Sequence, residues 1–185
     1  MNSAFLEQDP VMVAERLIGC HLIRKTQEGV IRVQITETEA YRGSDDPASH
    51  AFRGMTPRNQ LMFGDVGRLY VYFIYGMHFC MNVVAHQTGA VGAVLLRAGH
   101  PLEGVELIQM QRPNVSYRNL LNGPGKLARG LQVDKSLNGY DLLQKTDNQL
   151  AIEQHFPVGV ISKSTRIGIT KGKEMCWRFH LSSDK

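Results

Sequence analysis

The chain has 185 residues, 43% hydrophobic and 21% charged, and carries a formal net charge of +4 at a sequence pI of about 9.1; this suffices for one domain with a substantial core and an ordinary soluble composition. No run approaches the roughly 18 consecutive apolar residues of a membrane span, and Met1-Asn2-Ser3-Ala4 lacks the basic start of a secretory signal. Cys20, Cys80 and Cys176 are odd in number and widely spaced, which favours reduced cytoplasmic thiols over a disulfide framework or zinc site, and the small positive surplus fits a polyanion partner without establishing one.

Asp9-Pro10 opens the first predicted helix, with the carboxylate as cap and the proline at the first helical position. Val11, Ala14, Leu17 and Ile18 then share a face until Gly19 ends it. Leu22 to Lys25 reads as a strand, Gln27-Glu28-Gly29 as a turn, and Val30 to Ala40 as a long strand. Thr56-Pro57 repeats the cap-then-proline signal and predicts a short helix ending near Gly64. Leu69 to Val84 predicts a hairpin broken at Gly76. Val91 to Arg97 is a further strand, Pro101 to Gln111 and Lys126 to Gln132 are predicted helices, and Asn138 to Gln154 reads as loop. Strands return at Thr165 to Thr170 and Met175 to Leu181. With no repeat and no linker, residues 1–185 are expected to form a single α+β domain with a largely antiparallel, curved sheet.

Two features point to chemistry. In Tyr70-Val71-Tyr72-Phe73-Ile74-Tyr75-Gly76-Met77-His78-Phe79-Cys80-Met81-Asn82, Tyr75 falls near the tip of a stiff hairpin. An aromatic left in water there suits a wedge between stacked bases, although a tyrosine packed at a turn is the plainer reading. In the long strand, Ile31, Val33 and Ile35 share one face, and extending that face reaches Glu37 and Glu39. Carboxylates on a core-directed face are candidates for general acid–base work. Equally, the strand leaves the core there and both groups are solvated or ion-paired. Pattern does not choose between Glu37 and Glu39.

The blocks Glu37-Thr38-Glu39-Ala40-Tyr41, Ala48-Ser49-His50, Thr56-Pro57-Arg58-Asn59, the hairpin through Asn82, Val94-Leu95-Leu96-Arg97-Ala98 and Gly123-Pro124-Gly125-Lys126-Leu127 closely resemble, in order and spacing, the alkyladenine (3-methyladenine) DNA glycosylases of the eukaryotic-type family, which also occur in bacteria. The likeness runs from about Pro10 to Leu181. It implies base-excision repair: an alkylated or deaminated purine (3-methyladenine, 7-methylguanine, hypoxanthine, ethenoadenine) is flipped from duplex DNA and its N-glycosidic bond is hydrolysed, leaving an abasic site without cofactor or metal.

The same resemblance implies roles. Glu39 matches the catalytic base that activates water, and Arg97 the group that helps hold that water. Tyr41, His50 and Tyr72 match the base pocket, with His50 and Tyr72 sandwiching the purine, Tyr41 stacking on the opposite face from one of them, and His50 able to donate at the purine 6-position. Asn82 matches a pocket-wall asparagine that clashes with the 2-amino group of guanine, and Tyr75 the intercalating tyrosine. Arg58, Lys126, Arg129 and Lys135, with Arg53, are candidates for the DNA backbone; Lys126 and Arg129 lie three apart on a predicted helix. No lysine is placed for a Schiff base, so a lyase step is not expected. His78 departs from a tyrosine common in relatives. The expected setting is a monomer acting on double-stranded DNA with damaged purines, away from membranes, in a bacterial cytoplasm at the nucleoid. The rival readings are a non-catalytic sensor of distorted DNA, which would not need Glu39, and a small-molecule enzyme of formyltransferase-like fold, disfavoured by Tyr75 and the basic balance.

Overall fold

The computed structural model describes residues 1–144, 146 and 148–182. Its core is one curled eight-stranded sheet, antiparallel at every pairing of named strands. The strands are β1 (His21–Lys25), β2 (Val30–Tyr41), β3 (Leu69–Ile74), β4 (His78–Val84), β5 (Ala93–Glu103), β6 (Leu150–Glu153), β7 (Val160–Ser164) and β8 (Arg178–Ser182). They run in the order β3-β4-β5-β2-β1-β6, with β8 joining β2 and β7 joining β8. The helices are α1 (Ser3–Leu6), α2 (Pro10–Leu17), α3 (Val105–Gln111) and α4 (Pro124–Gly130). This is the expected α+β, largely antiparallel architecture. No helix among the described residues is long and apolar enough to cross a membrane.

Strand β2 organises the molecule. β5 pairs with it along its length on one edge, while on the other β1 takes Val30 to Gln34 and β8 takes Glu37 to Glu39. On one sheet face Ile31, Val33, Ile35, Leu96 and Phe179 are fully buried with Val13, Ala14 and Leu17 of α2 and Leu127 and Ala128 of α4. α2 forms as expected: the Asp9 carboxylate accepts the Val11 N–H at 2.8 Å and Pro10 sits at the first turn.

The alternation expected for β2 breaks. Register shifts fall between Ile35 and Glu37 and between Glu37 and Thr38, so a β-bulge inserts an extra residue and inverts the faces beyond it. Thr38 and Ala40 take over the core side, and Thr38 Oγ1 donates to the Ala14 carbonyl of α2 at 2.7 Å. Glu37, Glu39 and Tyr41 turn to the opposite face. The carboxylates therefore do not continue the Ile31 face, contrary to the sequence expectation.

Other boundaries move for tertiary reasons. Pro101 to Glu103 belong to β5, paired with Val33 and Arg32 beside another register shift, and only after Gly104, whose φ of +72° suits glycine, does α3 begin. The helix expected after Thr56-Pro57 is a single 3₁₀ turn at Gln60–Phe63; Thr56 does not cap it, and its N–H instead donates to the Asn59 side chain. α4 spans Pro124–Gly130 rather than 126–132. Within the stretch expected as loop, Leu150–Glu153 adds β6 to β1, while Lys145 and Asp147 lie outside the described residues. Residues 165–170 form no strand; β7 precedes them, and β8 begins at Arg178 rather than Met175.

Candidate active site

A cavity of about 360 Å³ opens on the face to which the bulge turns Glu37, Glu39 and Tyr41. Tyr41, His50, Tyr72, Tyr75, Asn82 and Arg97, six of the residues picked out from sequence, line it together with Tyr70, Cys80, Pro124 and Ile167. β2, β3, β4 and β5 supply most of the walls, which places the site on rigid elements.

Glu39 is fully buried and sits behind the wall. Its Oε2 accepts from the Tyr41 hydroxyl at 2.8 Å and lies 3.2 Å from Arg97 Nη1. Its Oε1 accepts from the Ile167 backbone N–H at 2.7 Å. Each of these three residues also lines the cavity, so the carboxylate lies directly behind the seam between them. Burial, then the charge of Glu39, pushes the Tyr41 phenol well above its usual range, so it remains a donor.

Glu37, which the sequence left as an equal candidate, is not among the residues that line the cavity. Its Oε1 accepts from Arg97 Nε and from Arg178 Nε, each at 2.6 Å. Burial works against its charge, but these two guanidinium bonds prevail and hold its carboxyl below the ordinary range.

The loop that carries His50 is pinned from two sides. The Asp46 carboxylate accepts from Ala48 N–H and Arg42 N–H, and the Asn59 amide donates to the His50 and Gly54 carbonyls. His50 Nδ1 shares a 3.0 Å hydrogen bond with the Tyr70 hydroxyl. Burial, aided by Arg58, lowers the His50 pKa and keeps the ring neutral near pH 7. His50 and Tyr72 meet edge to face at 4.7 Å. Rings in direct contact leave no slot between them, so a purine cannot be sandwiched by this pair; the open space lies between them and the other walls, Tyr41 among them. Asn82 is buried and its amide donates to the Tyr70 carbonyl at 3.0 Å. Cys80 pairs directly across from Tyr72, and burial pushes its thiol up to about 11, which makes it inert as a nucleophile at neutral pH.

At the cavity mouth the β3–β4 hairpin ends in Tyr75-Gly76. The Ile74 carbonyl accepts from Met77 N–H, and both central residues have positive φ, +50° and +67°, as a type I′ turn requires. Glycine suits this; tyrosine does not. Tyr75 is 83% exposed, and neighbouring Met77 is 68% exposed. The outer edge of β3 is covered by residues 138–140, through bonds to Leu69 and Val71, which stiffens the hairpin.

Of the backbone candidates, Arg58 lies over the Tyr72 ring at 5.6 Å, next to the cavity. Lys126 donates to Asn122 and Arg129 to the Gln111 carbonyl at the end of α3. Lys135 and Arg53 are exposed. The structure adds residues that sequence reasoning passed over. Arg166 is fully buried in a two-bond ion pair with Asp46 and also donates to the Ala40 carbonyl, with its guanidinium near the faces of Tyr41 and Trp177. It anchors the segment whose next residue, Ile167, reaches Glu39. Tyr70, adjacent to the noted Tyr72, carried no signal of its own.

The cysteines are free, Cys20 and Cys80 buried and Cys176 exposed. Among the described residues, His21, Glu153 and His155 bring metal-ligating atoms within 4.8 Å. None of them lines the cavity. Their imidazoles stack at 3.7 Å with planes 14° apart, so their in-plane lone pairs do not converge, and Arg32 already holds Glu153 at 2.7 Å.

The family model for methylpurine-DNA glycosylase (MPG) matches residues 4–185. A protein of Carboxydothermus hydrogenoformans is 44% identical over 98% of this chain and 94% of its own. One of Chlorobaculum parvum is 44% identical over 96% and 85%, and one of Streptomyces avermitilis 43% identical over 100% and 88%. All three bear the name 3-methyladenine DNA glycosylase. The chain belongs to the methylpurine-DNA glycosylase family and is a DNA glycosylase of the 3-methyladenine type, a hydrolase of N-glycosyl bonds in the repair of alkylated bases.

Proposed function

We propose that the protein extrudes a damaged purine from duplex DNA into the 360 Å³ cavity and hydrolyses its glycosidic bond with a water activated by Glu39. The observation that carries this reading is the convergence of Tyr41, Arg97 and Ile167, each of which both lines the cavity and touches the Glu39 carboxylate. A water taken up at that seam meets a base on one side and the extruded sugar on the other. Glu39 removes its proton, and its charge stabilises the oxocarbenium-like sugar as the bond to the base breaks.

Tyr75, on its strained turn, fills the gap left in the stack and slows the return of the nucleotide. An aromatic wall attracts electron-poor, cationic bases such as 3-methyladenine and 7-methylguanine, which leave as neutral molecules. In the tautomer in which the Tyr70 hydroxyl donates to His50 Nδ1, the neutral ring carries Nε2–H, which can donate to the 6-oxygen of hypoxanthine. Asn82, fixed through its amide on Tyr70, crowds the edge where guanine carries its 2-amino group. Among the described residues no lysine lines the cavity, and the enzyme is read as monofunctional, leaving an abasic site.

The test is a duplex carrying one hypoxanthine or 1,N6-ethenoadenine, incubated with enzyme and split into samples with and without hot alkali. Scission only after alkali, by the native protein and not by Glu39→Gln, is expected. Tight lesion binding with no scission under any condition would instead make the protein a sensor of distorted DNA. Scission without alkali would overturn the monofunctional reading.

A further inference from the structure

Behind the cavity wall four charges alternate in a row: Arg178, Glu37, Arg97, Glu39. Arg97 Nε and Arg178 Nε both donate to Glu37 Oε1 at 2.6 Å, and Arg97 Nη1 faces Glu39 Oε2 at 3.2 Å. The sheet dictates the row. Past the bulge, Glu37 and Glu39 point the same way from β2. Arg97 comes from β5 on one edge, between the partners of Glu37 and Thr38. Arg178 comes from β8 on the other edge, directly opposite Glu39. The side chains are 11% (Arg97), 18% (Glu37) and 20% (Arg178) exposed, so solvent screens them only partly. An Arg97 held by Glu39 alone would be free to swing about its long stem; the second carboxylate fixes it at Nε and leaves Nη1 aimed at the first.

We propose that Glu37 is a positioning residue of the glycosylase reaction, which aims Arg97 at Glu39 and, as a second anion, offsets enough of the arginine's field to keep Glu39 an effective base. This rests on the reading of Glu39 as the base. The groups around Glu39 are Arg97, the Tyr41 hydroxyl and the Ile167 N–H, with Arg166 behind Tyr41 and the buried, neutral Tyr72 and Cys80 across the cavity. Those around Glu37 are Arg97, Arg178 and His180, its direct partner on β8. The signs follow from Coulomb's law. Removing the negative charge of Glu37 makes the Glu39 carboxylate harder to protonate and a weaker base. Removing the positive charge of Arg178 acts in the opposite sense.

The experiment is single-turnover excision of hypoxanthine from a duplex, with enzyme in excess, from about pH 5 to about pH 9, for wild type, Glu37→Gln, Arg178→Gln and Glu39→Gln, with a melting temperature for each. For Glu37→Gln the plateau rate is expected to fall about tenfold to a hundredfold and the acid limb to move to lower pH, with lesion-DNA affinity changed by less than about threefold. For Arg178→Gln the acid limb is expected to move to higher pH. Opposite displacements cannot come from lost stability alone, and either variant decides the matter if the other does not fold. An acid limb unmoved in the folded variants, whatever their melting temperatures, would overturn the inference while an inactive Glu39→Gln upholds the base. Wild-type excision by Glu39→Gln would instead overturn the reading of Glu39 itself.

Discussion

Tyr41 donates its hydroxyl to Glu39 across 2.8 Å while its ring lines the cavity. One side chain thus presents a ring to the cavity and a hydrogen bond to the carboxylate behind it. Tyr41→Phe separates the two functions. A hydrogen bond to a charged group contributes about 1.5–3 kcal/mol, so excision should slow by about tenfold to a hundredfold while binding of lesion DNA stays near wild type. Single-turnover rates beside a binding titration check this. An equal loss in both would show that the hydroxyl matters for binding rather than chemistry.

Tyr75 occupies a backbone conformation, φ +50°, that costs a bulky L-residue about 1–2 kcal/mol. Asparagine is the residue a type I′ turn favours before glycine. Tyr75→Asn should therefore stabilise the protein by about 0.5–1 kcal/mol and yet reduce excision from duplex DNA by about tenfold or more. Urea unfolding and the alkali-scission assay give the two readouts. A variant that is both stabler and equally active would remove the case for a wedge.

Tyr70→Phe deletes the hydroxyl that bonds His50 Nδ1. The imidazole then loses the contact that orients it. Excision of hypoxanthine, which accepts at the 6-position, should fall by about fivefold or more, whereas excision of 7-methylguanine, which departs as a neutral base, should fall less. Side-by-side rates on the two lesions measure the ratio; an equal loss on both would exclude a recognition role for the bond.

Glu37 contributes to acid stability as well. Its folded pKa lies below the ordinary value of 4.5 because the bonds from Arg178 and Arg97 outweigh desolvation. The contribution is therefore complete above about pH 4.5 and is lost as the pH falls through the lower, folded value. Unfolding free energies measured from about pH 7 to about pH 3 should drop less steeply in Glu37→Gln than in wild type, from a lower starting point. Parallel curves would show that Glu37 is no more ionised in the fold than in the open chain.

Thiol reactivity should be confined to one position. Cys176 is exposed, whereas Cys20 and Cys80 are buried, with their pKa values raised by desolvation. Iodoacetamide at about pH 8 should add one carbamidomethyl group to the native protein, mapped to Cys176 by peptide mass, and three after denaturation. Rapid labelling of Cys80 would mean that the cavity wall opens far more than its packing allows.

Much of this molecule was legible in one dimension. The Asp9-Pro10 cap, the Val30 to Ala40 strand and the hairpin with its Tyr75-Gly76 tip are local signals, and local rules locate them to within a residue or two. Elements whose conformation is decided by a distant partner were not. Pro101 to Glu103 look helical in isolation but complete a ladder with Arg32 and Val33. Leu150–Glu153 is too short, within a polar stretch, to announce a strand, yet β1 offers it an open edge. The aromatic residues picked out from sequence line one cavity, but the mutual contact of His50 and Tyr72, in place of an open slot between them, was not legible.

Six of the residues that line the cavity were therefore legible in the sequence, because side-chain chemistry and short-range backbone preference travel with the residues themselves; Tyr70, Arg166 and Arg178 were not. The division of labour was decided in three dimensions. One extra residue in β2 turns Glu37 and Glu39 away from the core, and the two neighbouring strands then give Glu39 a place behind the cavity wall and Glu37 a pair of arginines. A bulge is set by how three strands share their hydrogen bonds, and that agreement exists only once the strands have met.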